Sequence, residues 1–105
     1  MTDIVQSVHR VRIRLTTERW MHIVEHHDDP AGHYHDVLGV VGAPDAVYAG
    51  DGGELLAIAR WPVRGHLVVA YRELSPTDGF VITAFFTTRT RQIERRRLIW
   101  QKARP

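Results

Sequence analysis

Three stretches in the second half of the chain, Glu54–Trp61, Leu67–Leu74 and Phe80–Thr87, are rich in the β-branched, aromatic and aliphatic residues that pack well on a pleated surface. Their connectors, Pro62-Val63-Arg64-Gly65 and Ser75-Pro76-Thr77-Asp78-Gly79, are of hairpin length and hold the residues that tight turns require. A parallel crossover needs a dozen or so residues, so neighbouring runs must pair antiparallel. The spacing predicts a three-stranded meander.

The first half has a different period. Arg10–Leu15 alternates strictly, with Val11, Ile13 and Leu15 on one face and three arginines on the other, which predicts a half-buried strand at a sheet edge. Thr16 can cap a helix over Thr17–Asp28, on which Trp20, Ile23, Val24 and His27 recur at helical spacing. Asp29-Pro30 offers a cap and a first-turn proline for a second helix, whose stripe is Tyr34, Val37, Leu38 and Val41 and which Gly42 and Pro44 stop. Residues 88–100 are expected to close the fold as a helix, with Ile93 and Leu98 or Trp100 inward and the arginines outward. The expected class is α+β: a strand and two helices packed on one face of the meander, with Trp20, Ile23, Leu38 and Val41 in the core.

At 105 residues the chain suits one domain, 1–105, ending in a basic segment, 88–105. Its 44% hydrophobic and 25% charged residues are ordinary for a globular protein and exclude a disordered or fibrous chain. The absence of cysteine excludes a disulfide framework and a thiol nucleophile. No apolar run approaches the roughly 18 residues of a membrane span, and no signal-peptide core is evident, so a cytoplasmic location without membrane association is expected. The net charge of +2 conceals an asymmetry. Beyond Thr88 stand Arg89, Arg91, Arg95, Arg96, Arg97, Lys102 and Arg104 against Glu94 alone, a block suited to phosphates or an acidic partner, or else a solvated helix face.

Histidine supplies most of the candidate chemistry. His22-Ile23-Val24-Glu25-His26 satisfies the H-x-x-E-H spacing in which two imidazoles share a helix face, and Glu94 is a distant third ligand for a small zinc hydrolase. A scaffold this small lacks the cleft that such chemistry needs, so no metal or other cofactor is expected. His33 and His35 read as solvated. His27 differs, because it ends the apolar stripe of the first helix at the rim of the core, where an imidazole serves as general acid or base or simply answers the helix dipole.

The segments Leu15–Asp28, Pro44-Asp45-Ala46-Val47-Tyr48-Ala49-Gly50, Val69–Glu73 and Gly79-Phe80-Val81-Ile82-Thr83-Ala84-Phe85-Phe86-Thr87 together resemble the barnase/RelE-like nuclease superfamily, near its phage-associated branch of small prokaryotic toxin-like proteins. That family's pattern is a strand, a Trp-containing helix ending in Arg-His-Pro, a Pro-Asp-x-(Val/Ile)-Tyr segment and three strands with basic residues and a hydroxyl near Phe-Phe. The resemblance implies a catalytic set of His27, Arg60, Arg72 and Thr83, with His26, Thr87, Arg95, Arg96 and Arg97 contacting substrate. His26 stands where the pattern has arginine and Asp28 where it has proline, and an imidazole, unlike a guanidinium, sheds its charge near neutral pH.

The implied activity is metal-independent endoribonuclease chemistry, with RNA as substrate and an acidic antitoxin protein as partner. A base removes the 2′-hydroxyl proton, the oxygen attacks phosphorus, and guanidiniums stabilise the phosphorane. The alternative is a non-catalytic module of the same fold that binds nucleic acid or a protein partner. Arg60, Arg72 and Thr83 must share a face for the first reading, and the two connectors leave the strand registers open.

Overall fold

The computed structural model describes residues 1–103; Arg104 of the basic block and Pro105 lie outside the described residues. Its elements are β1 (Thr2–Gln6), β2 (Arg12–Thr16), α1 (Thr17–His26), α2 (Tyr34–Gly42), β3 (Ala46–Ala49), β4 (Leu55–Trp61), β5 (Gly65–Ser75), β6 (Asp78–Thr87), α3 (Arg91–Glu94) and β7 (Leu98–Gln101). The seven strands form one sheet in the order β1-β2-β6-β5-β4-β3-β7, antiparallel except for the β2–β6 pair. The chain is thus α+β, and the expected meander is its β4-β5-β6 centre.

Strand alternation divides the sheet into two faces. On one, Ile13, Leu15, Ala57, Leu67, Val69, Tyr71, Val81 and Ala84 pack with Ile23 of α1 and Val37 and Val41 of α2. Trp20 and Leu38 join the same layer, Trp20 half-buried and edge-on to Tyr34 at 5.3 Å between ring centroids. Tyr34 donates to Asp3 Oδ2 at 2.7 Å, and burial together with that bond pushes its hydroxyl up to about 12. Among the described residues the Tyr71 hydroxyl has no hydrogen-bond partner, and burial, aided by the Glu73 carboxylate, pushes its pKa upward as well. On the other face Ala46, Ile58 and Val68 gather around Ile93 of α3, with Phe85 beside them.

Several boundaries differ from the sequence reading, each for a physical reason. The arginine-alternating strand is interior, flanked by β1 and β6, because Thr2–Gln6 folds back on it as a strand of its own. Helix α1 is capped as expected, Thr16 Oγ1 accepting from Arg19 N at 3.1 Å, but it ends at His26 rather than Asp28. The residue before a proline avoids helical geometry, and the Asp28 carbonyl instead accepts from Ala31 N in a turn. Pro30 belongs to that turn rather than to a helix start. Gly32 takes φ +86, a left-handed conformation that defers α2 to Tyr34.

The expected helix over 88–100 is corrected most. Only Arg91–Glu94 is helical, and Leu98–Gln101 pairs with β3, a strand the sequence reading did not anticipate. Three consecutive arginines, Arg95 to Arg97, offer no apolar stripe to a helix, whereas Leu98-Ile99-Trp100 are good strand formers facing an unpaired β3 edge.

One feature of the topology places the candidate site. Strand β2 accompanies β6 only over Ile13↔Gly79 and Arg14↔Phe80, then turns into α1, which runs on beside the rest of β6. The C-terminal end of α1 is therefore delivered to the C-terminal end of β6.

Candidate functional site

Three segments meet where β6 ends: the α1–α2 connector, the β4–β5 turn and the chain leaving β6. The N–H of Phe86, at the side of β6 left without a strand, donates to Asp29 Oδ2 at 3.1 Å. Arg64 Nη1 donates to the Asp29 carbonyl at 2.9 Å, and its guanidinium lies over the Phe86 ring, 4.5 Å from the centroid. Gly65 has φ +85, and a Cβ there would lie 2.5 Å from the Thr87 carbonyl oxygen, so the turn and the end of β6 touch backbone to backbone. Together Asp29, Arg64, Phe86, Thr87, Thr88 and Arg89 line a concavity of about 380 Å³. Thr88 and Arg89 also border a larger groove, of about 700 Å³, that continues past Arg91 to Arg95.

Register decides what else faces this end. Arg60 pairs with His66 and His66 with Thr87, so the three form one cross-strand row on the α3 face. The His27 ring lies 5.7 Å from that of Phe85, which is two residues before Thr87 on the same face. Thr87 Oγ1 accepts from Arg89 N at 2.9 Å, leaving its proton to donate elsewhere. Among the described residues, neither Arg60 nor Arg89 is ion-paired with a carboxylate.

Parity is satisfied for the sequence-derived quartet, but convergence is not. Arg60, Arg72 and Thr83 do share a face, helped by a bulge at Ile82 that lets both Val81 and Ala84 reach the helix layer. Arg72, however, stands six residues from His66 along β5, about 20 Å away at the usual rise per strand residue. Its Nη2 donates to the Gly52 carbonyl at 2.7 Å, holding the β3–β4 loop. Thr83, opposite Ala70, lies between the two ends. His27, Arg60 and Thr87 are brought to one end; Arg72 belongs to the other.

The remaining candidates are dispersed. His26 Nδ1 donates to the His22 carbonyl at 3.0 Å, and the two rings lie 4.5 Å apart on the exposed side of α1. Among the described residues no group of three or more His, Asp or Glu side chains is arranged to share a metal ion; the Glu94 carboxylate, the suggested third ligand, accepts from Thr90 Oγ1. His33 Nδ1 bonds Asp36 at 2.9 Å, so it is not simply solvated, and His35 packs edge-on to Tyr34. Arg95 borders the larger groove and Arg97 is exposed. Arg96 grips Asp51 through two bonds of 2.6 and 2.9 Å, which holds that carboxyl below the usual carboxylate range.

Two residues at the β6 end escaped the sequence reading. Arg64 was part of a connector, and His66 acquires its neighbours only once the pairing Trp61↔Gly65 is known. The alternation of Arg60 and His66 around a short turn was the available signal.

No protein-family pattern, curated protein or solved structure matches the chain. Among the described residues, no helix is long and apolar enough to cross a membrane.

Proposed function

We propose that this protein is a metal-independent endoribonuclease of the barnase/RelE-like kind, acting in the cytoplasm as the toxin of a toxin–antitoxin pair. The observation that carries the reading is the end of β6, where a concavity lined by Arg64, Thr87 and Arg89 lies at the same end of the sheet as the Arg60–His66–Thr87 row and the His27 ring, with neither Arg60 nor Arg89 ion-paired among the described residues. The one carboxylate lining the concavity, that of Asp29, is engaged by the Phe86 N–H. In this reading His27 takes the proton of a 2′-hydroxyl, whose oxygen attacks the adjacent phosphorus. The 5′-oxygen leaves with a proton from His66, giving a 2′,3′-cyclic phosphate and a 5′-hydroxyl. Arg60 and Arg89 offset the phosphorane charge, and the Thr87 hydroxyl orients the phosphate. The exposed basic segment from Arg89 to Arg97 would receive the acidic antitoxin when RNA is absent.

The test is cleavage of single-stranded RNA by the purified protein in EDTA. His27→Ala should lower the rate at least about 100-fold, the usual share of one acid–base group, while circular dichroism stays unchanged because the side chain is exposed. A folded His27→Ala protein that cleaves at the wild-type rate refutes the role of His27. A wild-type protein that binds RNA without cutting it selects the second reading, a binding module, which the placement of Arg72 at the opposite end of the sheet favours.

A further inference from the structure

Resting on the RNA reading above, we propose that the Arg64 guanidinium, clamped over Phe86, is a stacking platform for a nucleobase of single-stranded RNA. The clamp is layered. Asp36 holds His33 at 2.9 Å; His33 and Trp61 meet the Phe86 ring edge-on, at 5.0 and 5.7 Å between centroids; and Phe86 carries the guanidinium on its face. The bond to the Asp29 carbonyl fixes one edge of the guanidinium, so the group is held both by the ring and by a backbone acceptor. Arg64 is exposed and lines the concavity, which leaves its outer face towards solvent.

The backbone that presents Arg64 is strained. Val63 has φ +70, and Arg64 N donates to the Pro62 carbonyl at 2.7 Å, a γ-turn of the rarer positive-φ kind centred on a β-branched residue. The Val63 side chain is fully exposed, so packing does not account for the turn. What the turn achieves is to fold Arg64 back over Phe86. Guanidinium planes stack on nucleobases, and Arg89 and the Thr88 hydroxyl, which line the same concavity, are available to the phosphate of a base stacked here. The flat cation is essential, since a lysine in its place keeps the charge and loses the plane.

The test uses 2′-O-methyl RNA, which this chemistry cannot cut, and measures fluorescence anisotropy at fixed salt with an adenine oligonucleotide and an abasic one of equal length. Wild-type protein should bind the base-bearing strand about fivefold or more tightly, the scale of one stacked base. Arg64→Lys should bind the two strands alike. A preference that survives in Arg64→Lys, equal binding of both strands by wild type, or binding of neither would each overturn the proposal. Cleavage of unmodified RNA is scored separately, so a protein that prefers bases without cutting refutes the nuclease reading alone.

Discussion

At the Ser75 end of β5, Arg72 is bound to the Gly52 carbonyl and Arg96 to Asp51, both closing the β3–β4 loop, in which Glu54 also accepts from Gly52 N. At the Gly65 end, Arg60 and Arg89 have no carboxylate partner among the described residues, and Arg64 is held by a carbonyl and an aromatic face. Both ends carry arginine on or beside the same sheet, yet one set is engaged by the neighbouring loop and, among the described residues, the other has no carboxylate partner. The difference lies in the adjacent loop. Gly50-Asp51-Gly52-Gly53-Glu54 is pliant and rich in acceptors, whereas Pro62-Val63-Arg64 is stiff and supplies none of the acidic groups that would neutralise its neighbours. A strand arginine is therefore informative about binding only together with the loop that faces it.

The sharpest test of this contrast uses two glycines of similar backbone conformation. Gly65→Ala, at φ +85, drives its Cβ against the Thr87 carbonyl and the Thr88 backbone and should cost about 3 kcal/mol. Gly53→Ala, at φ +88, meets only the far end of the Arg72 side chain at 3.0 Å and should cost about 1 kcal/mol. Urea denaturation measures both, and equal losses would break the distinction between a rigid open end and a yielding closed one.

A smaller effect separates the arginines themselves. Replacing Arg89 and Arg95 by alanine should lower the slope of log affinity for RNA against log salt by about one to two, because each phosphate contact releases counterions. Arg72→Ala should leave that slope unchanged and cost about 1 kcal/mol of stability through its lost hydrogen bond to Gly52. A salt slope that responds to Arg72 instead would move the interface to the opposite end of the sheet.

The meander and the two helical stripes were legible in the sequence because each extends over enough residues to display a period. Strands β3 and β7 were not: Ala46–Ala49 and Leu98–Gln101 have four residues each, and their identity as strands comes from pairing with one another across the length of the chain. Arg60, Thr83 and Arg72 were readable as strand residues, but their spacing along the sheet depends on the Trp61↔Gly65 pairing and the Ile82 bulge, which no residue type announces. His27 was marked by its place at the end of the first helical stripe and Thr87 by the family resemblance, and the fold brings them to one end. Arg64 was hidden because a positive φ at Val63 runs against that residue's own preference.

The parallel β2–β6 pairing, Ile13 with Gly79 and Arg14 with Phe80, joins residues far apart in the chain, whereas the meander closes through turns of a few residues. Short loops cost little entropy to close and long ones more, so the meander should assemble first and the β1–β2–α1 unit should dock on it afterwards. Pulsed hydrogen exchange would then find β5 amides protected before those of β2, and the reverse order would exclude this sequence of events. Docking is also what carries His27 to Phe85, while Arg60, His66 and Thr87 already stand together on the meander. If the nuclease proposal holds, a newly made chain would thus acquire its grip on phosphate before its base, passing through a stage at which it holds RNA harmlessly.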